Sequence, residues 1–580
     1  MDLNAPPTSS RERSPRASRT IAQSSTGYKL RFISLGGIIG VTKNMYVYEL
    51  YRGEELLDVV VIDCGIGFPQ DKALGVDFVI PDITYLKDKL HKIRAILLSH
   101  GHEDHISALP YHYTDLGEPP MYASKLTAAF IKNKFKETGK EIKINVVDFT
   151  KKYTFGQISA EFVQMTHSIP DTTHIMLRTP AGNIYHGSDF KLDLTPPYGP
   201  PPDFYKITQF GHEGVLCLMS DCLGSDREGL TLSENIVGQT FEDRMRKTKG
   251  KFIMSTFSSN ISRIRQCVEA AKKFNRKVAF LGRSMRDNTK MAAEIGYLPE
   301  LKDLLIKEEQ VMRLPPNKVC LIVAGSQGQY NSALAKLASK QNKFIAIKPG
   351  DTVVFSSDPI PGNENEVYGL IEDLVLLGAE VVYSDVQEQL HASGHGNQED
   401  IKFLARFVDP VYFTPIGGTI RHQRGYQNLM VELGYKKENV LLLDEGDTII
   451  FEKRTARKGE RIPTKTIYVD AYGVGDVGSV VLRDRQIIST EGMVVALVLV
   501  DNHNQLITKP SIISRGFVFE KQEEELMGEA SRIIESILAE RKGQQLNLNN
   551  TKKEIADNLE QLFMELKGRR PLVVAEVVQI

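Results

Sequence analysis

The chain has 580 residues, with 72 Lys and Arg against 73 Asp and Glu, for a formal net charge of -1. At roughly 100–200 residues per domain that length predicts about three domains, and 41% hydrophobic with 25% charged residues is a globular composition. No apolar run nears the ~18–20 residues that span a bilayer, which excludes an integral membrane protein, and the balanced charge argues at first sight against a nucleic-acid partner.

Residues 1–28 read as a disordered tail, with Pro6, Pro7 and Pro15 among many Ser and Thr, and Arg11, Arg13, Arg16 and Arg19 against Asp2 and Glu12. The N-terminus has no apolar signal-peptide core, and Cys64, Cys217, Cys222, Cys267 and Cys320 form no CxxC pair, so a cytoplasmic, reducing setting is expected. From Tyr28 the pattern changes. Strand-like runs at 59–62 and 95–98 lead into the polar loops Asp63-Cys64-Gly65 and Ser99-His100-Gly101-His102, and a helical stretch follows at 124–136. Strands that alternate with helices and end in polar loops predict an α/β layered fold. A second α/β block runs over 235–361, with strands at 277–281 and 319–323. A charged connector at 453–461, closed by Pro463, reads as a linker. The last segment predicts strands near 479–482 and 493–499, then helices at 523–541 and 551–566.

The densest chemistry lies in Ser99-His100-Gly101-His102-Glu103-Asp104-His105, which places three of the 13 histidines and two acids within six residues. Imidazole and carboxylate are the groups that hold Zn²⁺ at about 2.0–2.2 Å, and a short loop after a buried strand directs them at one point. Further ligands are expected downstream at His167 and Asp189, each just after a strand-like run. Taken alone, either reads as a capping or core-satisfied residue; beside the first motif they read as ligands. A carboxylate such as Asp189 can bridge two ions about 3.5–4 Å apart. Asp63, Asp77 and Asp82 read better as turn caps than as ligands.

HxHxDH, then a lone His, then Gly187-Ser188-Asp189 resembles the metallo-β-lactamase superfamily. Leu218-Met219-Ser220-Asp221, Ser233-Glu234, Thr256-Phe257-Ser258-Ser259-Asn260, Gly282-Arg283-Ser284-Met285, Ala324-Gly325-Ser326-Gln327-Gly328 and His391-Ala392-Ser393-Gly394-His395-Gly396 resemble the β-CASP insertion of nucleic-acid-processing members. With Tyr468-Val469-Asp470, Leu482-Arg483-Asp484-Arg485 and Ser514-Arg515-Gly516-Phe517-Val518, the chain resembles the bacterial ribonuclease J family from about residue 30 to its end.

The resemblance implies an α/β fold, a metallo-β-lactamase αββα sandwich with an inserted α/β β-CASP domain and a small α+β C-terminal domain. The expected bounds are 29–234 and 366–452 for the sandwich, 235–365 for the insertion, 453–464 for the linker and 465–580 for the C-terminal domain. It further implies two Zn²⁺ ions per chain. His100, His102 and His167 would hold one, Asp104 and His105 the other, and Asp189 would bridge them. Asp221 matches an acid near the metals, and His395 a histidine that protonates the leaving group. RNA contacts are implied at Ser258, Ser259, Asn260, Arg283, Ser284, His391, Ala392, Ser393, Gly394 and His395. A structural Ca²⁺ or Mg²⁺ is implied near Leu74, Val76 and Asp470.

The implied activity is a 5′-to-3′ exonuclease, with endonuclease action also open, in rRNA and mRNA maturation and decay. Its substrate would be single-stranded, 5′-monophosphorylated RNA and its assembly a homodimer or tetramer. The sequence departs from the family at Pro415-Ile416-Gly417-Gly418-Thr419, where Gly417 replaces a metal-binding histidine; the second site should bind more weakly, and His422 lies five residues on. A catalytically impaired RNA-binding or scaffold homologue is therefore the alternative, and a hydrolase of thioesters or lactams a more distant one. Gln329-Tyr330-Asn331 is a further departure, where the family commonly has Glu-Pro-Met. RNA binding by a chain of net charge -1 predicts a locally basic channel on an otherwise acidic body.

Overall fold

A computed structural model describes residues 27–580 apart from 70–72, 137, 302, 361–362, 385, 387, 471–472, 476–477, 518–519 and 542–546, so the expected tail lies almost wholly outside the described residues. The chain divides into two units, one of residues 1–67 and 80–466, the other of 68–79 and 467–580.

In the first unit an eight-stranded and a six-stranded sheet lie face to face. Strand Tyr28–Gly36 alternates, turning Leu30 and Phe32 inward. Strand Glu55–Ile62 ends in an unbroken apolar run because its parallel neighbour Ile93–Leu97 and layers on both faces bury it. Leu30, Phe32, Tyr48 and Val60 of one sheet share a core with Phe162, Ile175, Ile184 and Met219 of the other. Helices Phe204–Glu213, Gln398–Val408 and Ile420–Glu432 cover the outer face of the six-stranded sheet. Helix Lys125–Lys136 packs beside the short strands of the other sheet. This is the αββα layering expected from the resemblance.

Three strands of the six-stranded sheet, Gly182–Gly187, Cys217–Asp221 and Tyr412–Ile416, run parallel, with Gly187 opposite Ser220 and Asp221 opposite Ile416. Their C-terminal ends therefore share one edge, where Asp189, Asp221 and Gly417 follow. Such an edge is where open α/β sheets place their sites.

The inserted domain is a five-stranded parallel sheet in the order Lys277–Leu281, Val319–Val323, Phe252–Ser255, Thr352–Phe355, Glu380–Val382. Its last strand lies past the expected end of the insertion at 365. The expected linker at 453–464 also contains structure. Lys453 and Arg454, at φ 47° and 65°, turn the chain so that Thr455–Lys458 pairs antiparallel with Thr448–Glu452. This strand is the edge of the eight-stranded sheet, and edge strands carry exposed charge, which is why the segment reads as a linker.

In the second unit, strand Met493–Val500 pairs antiparallel with Ser511–Arg515 and parallel with Leu572–Gln579. Helices Glu520–Ala539 and Leu548–Lys567 cover Val494, Ala496, Val498 and Val500 on one face. The strand expected near 479–482 is instead the start of helix Ser479–Glu491. Val480 and Val481 favour a strand, but two β-branched residues are outweighed by the helix-favouring Leu482, Arg483, Arg485 and Gln486 that follow.

Candidate metal centre

Four loops meet at the shared edge. The first leaves strand Ile93–Leu97 and carries His100 and His102 into the short helix Glu103–Ile106, which presents Asp104 and His105. His167 follows strand Ile158–Gln164, and Asp189 follows Gly182–Gly187. The fourth loop, at 391–396, carries Gly394 and His395 ahead of helix Gln398–Val408.

His100 Nε2 and His167 Nε2 each lie 3.1 Å from His102 Nδ1, and both lie 3.8 Å from Asp189 Oδ2. Tetrahedral ligands about 2.1 Å from one ion stand about 3.4 Å apart, so these four atoms have the spacing of a single first coordination shell. Burial holds His100 and His167 well below the usual imidazole range and pushes His102 down to about 4. Each therefore offers a lone pair rather than a charge. Their second nitrogens are fixed by acceptors. His167 Nδ1–H donates to Gly394 O at 2.6 Å. His100 Nδ1–H donates to Ser99 Oγ at 3.0 Å, because that hydroxyl spends its own proton on Asp63 Oδ2 at 2.7 Å. Outer partners of this kind set which nitrogen faces a metal.

The second group is thinner. His105 Nε2 lies 3.4 Å from Asp104 Oδ2 and 3.3 Å from Asp189 Oδ2, with its Nδ1–H donated to Asp63 Oδ2 at 2.8 Å. Asn44 Nδ2 lies 3.1 Å from His105 Nε2 and 3.2 Å from Asp104 Oδ2, an amide edge that donates rather than ligates. A Cβ on Gly417 would lie 3.7 Å from Asp189 Oδ1 and Asp221 Oδ1, so a side chain there would point at this group. His422 does not replace it. It sits in the first turn of helix Ile420–Glu432, its Nδ1 3.1 Å from Thr419 Oγ1 and its Nε2 3.5 Å from Asp226. The donor set thus fits a full site of three neutral imidazoles and a carboxylate, and an incomplete one of two carboxylates and an imidazole.

Asp189, Asp221 and His395 form a third cluster. Burial opposes charge on His395, but Asp221 at 2.7 Å from its Nδ1, and then Asp189, outweigh that and raise it to about 9. Its Nε2 faces Asp189 Oδ2 at 3.9 Å. Burial raises the Asp221 carboxyl in turn.

The structure brings together all six residues expected as ligands, His100, His102, Asp104, His105, His167 and Asp189, and adds Asp221 and His395 beside them. Of the residues expected to touch RNA, Asn260 caps helix Ile261–Lys273 and Ser258 is held by Asn288. Arg283 and Ser284 stand exposed at the start of helix Arg283–Glu294, and His391 to His395 line the fourth loop. The acceptors expected to hold a structural cation are engaged within the second unit by one guanidinium: Arg485 donates to Leu74 O at 3.0 Å and pairs with Asp470 at 3.3 Å. Val76 donates its N–H to Ala73 O. Asp63, which reads in the sequence as a turn cap rather than a ligand, orders both His100 and His105; its place directly after a buried strand is the one sequence feature that bears on that role. Asn44 carried no such signal.

Comparison with known proteins gives three matched regions: the metallo-beta-lactamase superfamily over 41–216, the ribonuclease J beta-CASP domain over 249–374 and the ribonuclease J C-terminal domain over 480–580. Ribonuclease J 1 of Streptococcus pyogenes serotype M3 is 36% identical over 549 residues, 94% of this chain and 97% of its own length. Ribonuclease J2 of Bacillus subtilis is 34% identical over 555 residues, 95% of this chain and 99% of its own. A solved protein of unknown function from Enterococcus faecalis V583 aligns with a TM-score of 0.52 at 16% identity, over 73% of this chain and 100% of that one, a likeness of fold alone.

Proposed function

The chain belongs to the ribonuclease J family, and on that premise we propose that this metal-dependent ribonuclease is a zinc enzyme acting 5′-to-3′ on single-stranded, 5′-monophosphorylated RNA in rRNA and mRNA maturation and decay. The observation that carries the reading is the four-atom cluster of His100, His102, His167 and Asp189, whose neutral imidazoles suit Zn²⁺. Bound divalent ions supply Lewis acidity toward the phosphodiester and activate the attacking water.

The chain's own residues do the rest. Asp63, directly and through Ser99, turns the Nε2 atoms of His105 and His100 inward. Gly394 O does the same for His167. Burial opposes charge on His105, but Asp104, Asp189 and Asp63 outweigh it and raise the imidazole well above the usual range, so a cation there would have to displace its proton. Asp221 holds the Nδ1 side of His395, which turns its Nε2–H toward Asp189 and the metal centre, where it can protonate the departing 3′ oxygen. The Ser258, Ser259 and Asn260 turn and the exposed Arg283 and Ser284 offer hydroxyls, N–H groups and a guanidinium to the RNA backbone. Gly417 favours weak occupancy of the second group and so supports a second reading, an RNA-binding homologue of low activity; the complete first cluster weighs against it.

A homodimer, or a tetramer built from it, is proposed from the second unit, whose uncovered sheet face exposes Leu497, Ile513 and Val574 at 41%, 50% and 42%. A cytoplasmic setting is proposed from five free, buried cysteines. No helix among the described residues is long and apolar enough to cross a membrane.

The test is metal content per chain together with a time course on 5′-monophosphorylated RNA. Zinc-loaded protein should shorten the RNA from its 5′ end, and His100→Ala should lose at least a hundredfold. Intact RNA after incubation with fully loaded protein overturns the nuclease reading.

A further inference from the structure

Beyond the metal ligands, a buried guanidinium ties the inserted domain to the fourth loop of the centre. Arg263, in the first turn of helix Ile261–Lys273, has a fully buried side chain. Its Nη2 donates to both oxygens of Glu234 at 2.7 Å and to Ala392 O at 3.2 Å. Its Nη1 donates to Ser356 O at 2.7 Å and meets His391 Nδ1 at 2.7 Å. Glu234 is bound in turn by Lys191, two residues after Asp189, at 3.2 Å. A guanidinium is always protonated and can only donate, so the His391 nitrogen facing it must accept. His391 is thereby held as the tautomer with Nδ1 bare and the proton on Nε2, which faces Asp358 Oδ2 at 3.6 Å.

The consequences run along the loop. His391 and Ala392 are the anchor points. Gly394, two residues on from Ala392, accepts from His167, and His395 meets Asp221. The same arginine begins three residues after Asn260, whose side chain accepts from its backbone N–H at 3.1 Å. One residue thus joins the Ser258–Asn260 turn, through its backbone N–H, to the His391–His395 loop and the acid Glu234, through its side chain.

We infer that Arg263 is a positioning residue of the RNA site: it locks the His391–His395 loop in register with the metal centre and fixes His391 as the tautomer with its proton on Nε2, on the side of Asp358. This deepens the ribonuclease reading and rests on it for the substrate, but not for the tautomer.

Two measurements test it. In the full-length protein labelled with ¹⁵N-histidine, with His391 assigned by its loss in His391→Gln, the Nδ1 signal should be that of an unprotonated nitrogen and Nε2 that of a protonated one. Protonated Nδ1 overturns the proposal, and this readout requires no RNA cleavage. Arg263→Lys keeps a positive charge against Glu234, yet one ammonium cannot reach Ser356, His391 and Ala392 together. It should retain the wild-type zinc content and lose about a hundredfold in kcat/KM on RNA, the scale of a displaced catalytic group. Activity within threefold of wild type overturns the positioning role. If Arg263→Lys does not fold, the wild-type tautomer still decides. Wild-type protein that holds zinc and the assigned tautomer yet leaves RNA intact sinks the nuclease reading alone.

Discussion

At the scale of single residues, Gly417 stands where the resemblance leads one to expect a metal-binding histidine. Its φ of 67° is the left-handed region, and a Cβ built there meets only Asp189 Oδ1 and Asp221 Oδ1 at 3.7 Å. Gly417→His therefore has room, at a backbone cost of about 1–2 kcal/mol. It should tighten the second equivalent of zinc by tenfold or more in a competitive metal titration; unchanged affinity would mean that the missing ligand is not what weakens the site. His112 offers a pH test away from the metals. Burial pushes its imidazole down to about 4, against Pro81, Asp115 and Asp82, which favour the charge. The unfolded chain, near pKa 6.5, binds the proton more readily, so stability is intact above pH 6.5 and is lost as the pH falls from there toward 4. One such group accounts for about 3 kcal/mol over that window. His112→Gln should remove most of it, read as a smaller difference in denaturant stability between pH 7 and pH 4.5.

At the scale of elements, the site is assembled from strand ends rather than from one motif. Parallel register at Gly187–Ser220 and Asp221–Ile416 places residues from three distant stretches on one edge, which no local pattern announces. Helix Ile261–Lys273 shows how an element's start carries function. Asn260 caps it by accepting from Arg263 N, so Asn260→Ala should cost about 1 kcal/mol of stability. It should also slow RNA turnover, because the first turn holds Arg263; a thermal melt beside a kinetic assay checks both. The candidate ligands stood out in sequence because they follow apolar runs that read as buried strands. The helix Ser479–Glu491 was not, because a short β-branched run outweighs its neighbours in a local reading.

For the whole molecule, the first unit and the second have separate apolar cores, and the chain enters the second twice, at 68–79 and again from 467. Calorimetry should then show two transitions. Phe563, fully buried among Val494, Ala530 and Leu559, is a marker for the second. Phe563→Ala should lower that transition by about 3–5 kcal/mol and leave the other in place; joint movement of both would show a single cooperative molecule. A net charge of -1 carries little weight against RNA, since it is a sum over the whole surface and binding needs only a local basic groove. Binding that weakens with salt would show a local basic lining at work.

The sequence alone determined which side chains are the candidate ligands, because imidazole and carboxylate crowd together over His100 to His105, and the layered α/β class, because apolar runs with polar ends can fold few other ways. It also exposed the gap at Gly417. Tertiary structure alone decided the outer partners. Asp63 reaches His105 across 42 positions and Arg263 reaches His391 across 128. Tautomer and ring orientation depend on which buried acceptor happens to lie within about 3 Å, and that is set by how sheets pack and strands register, not by what stands next in the chain.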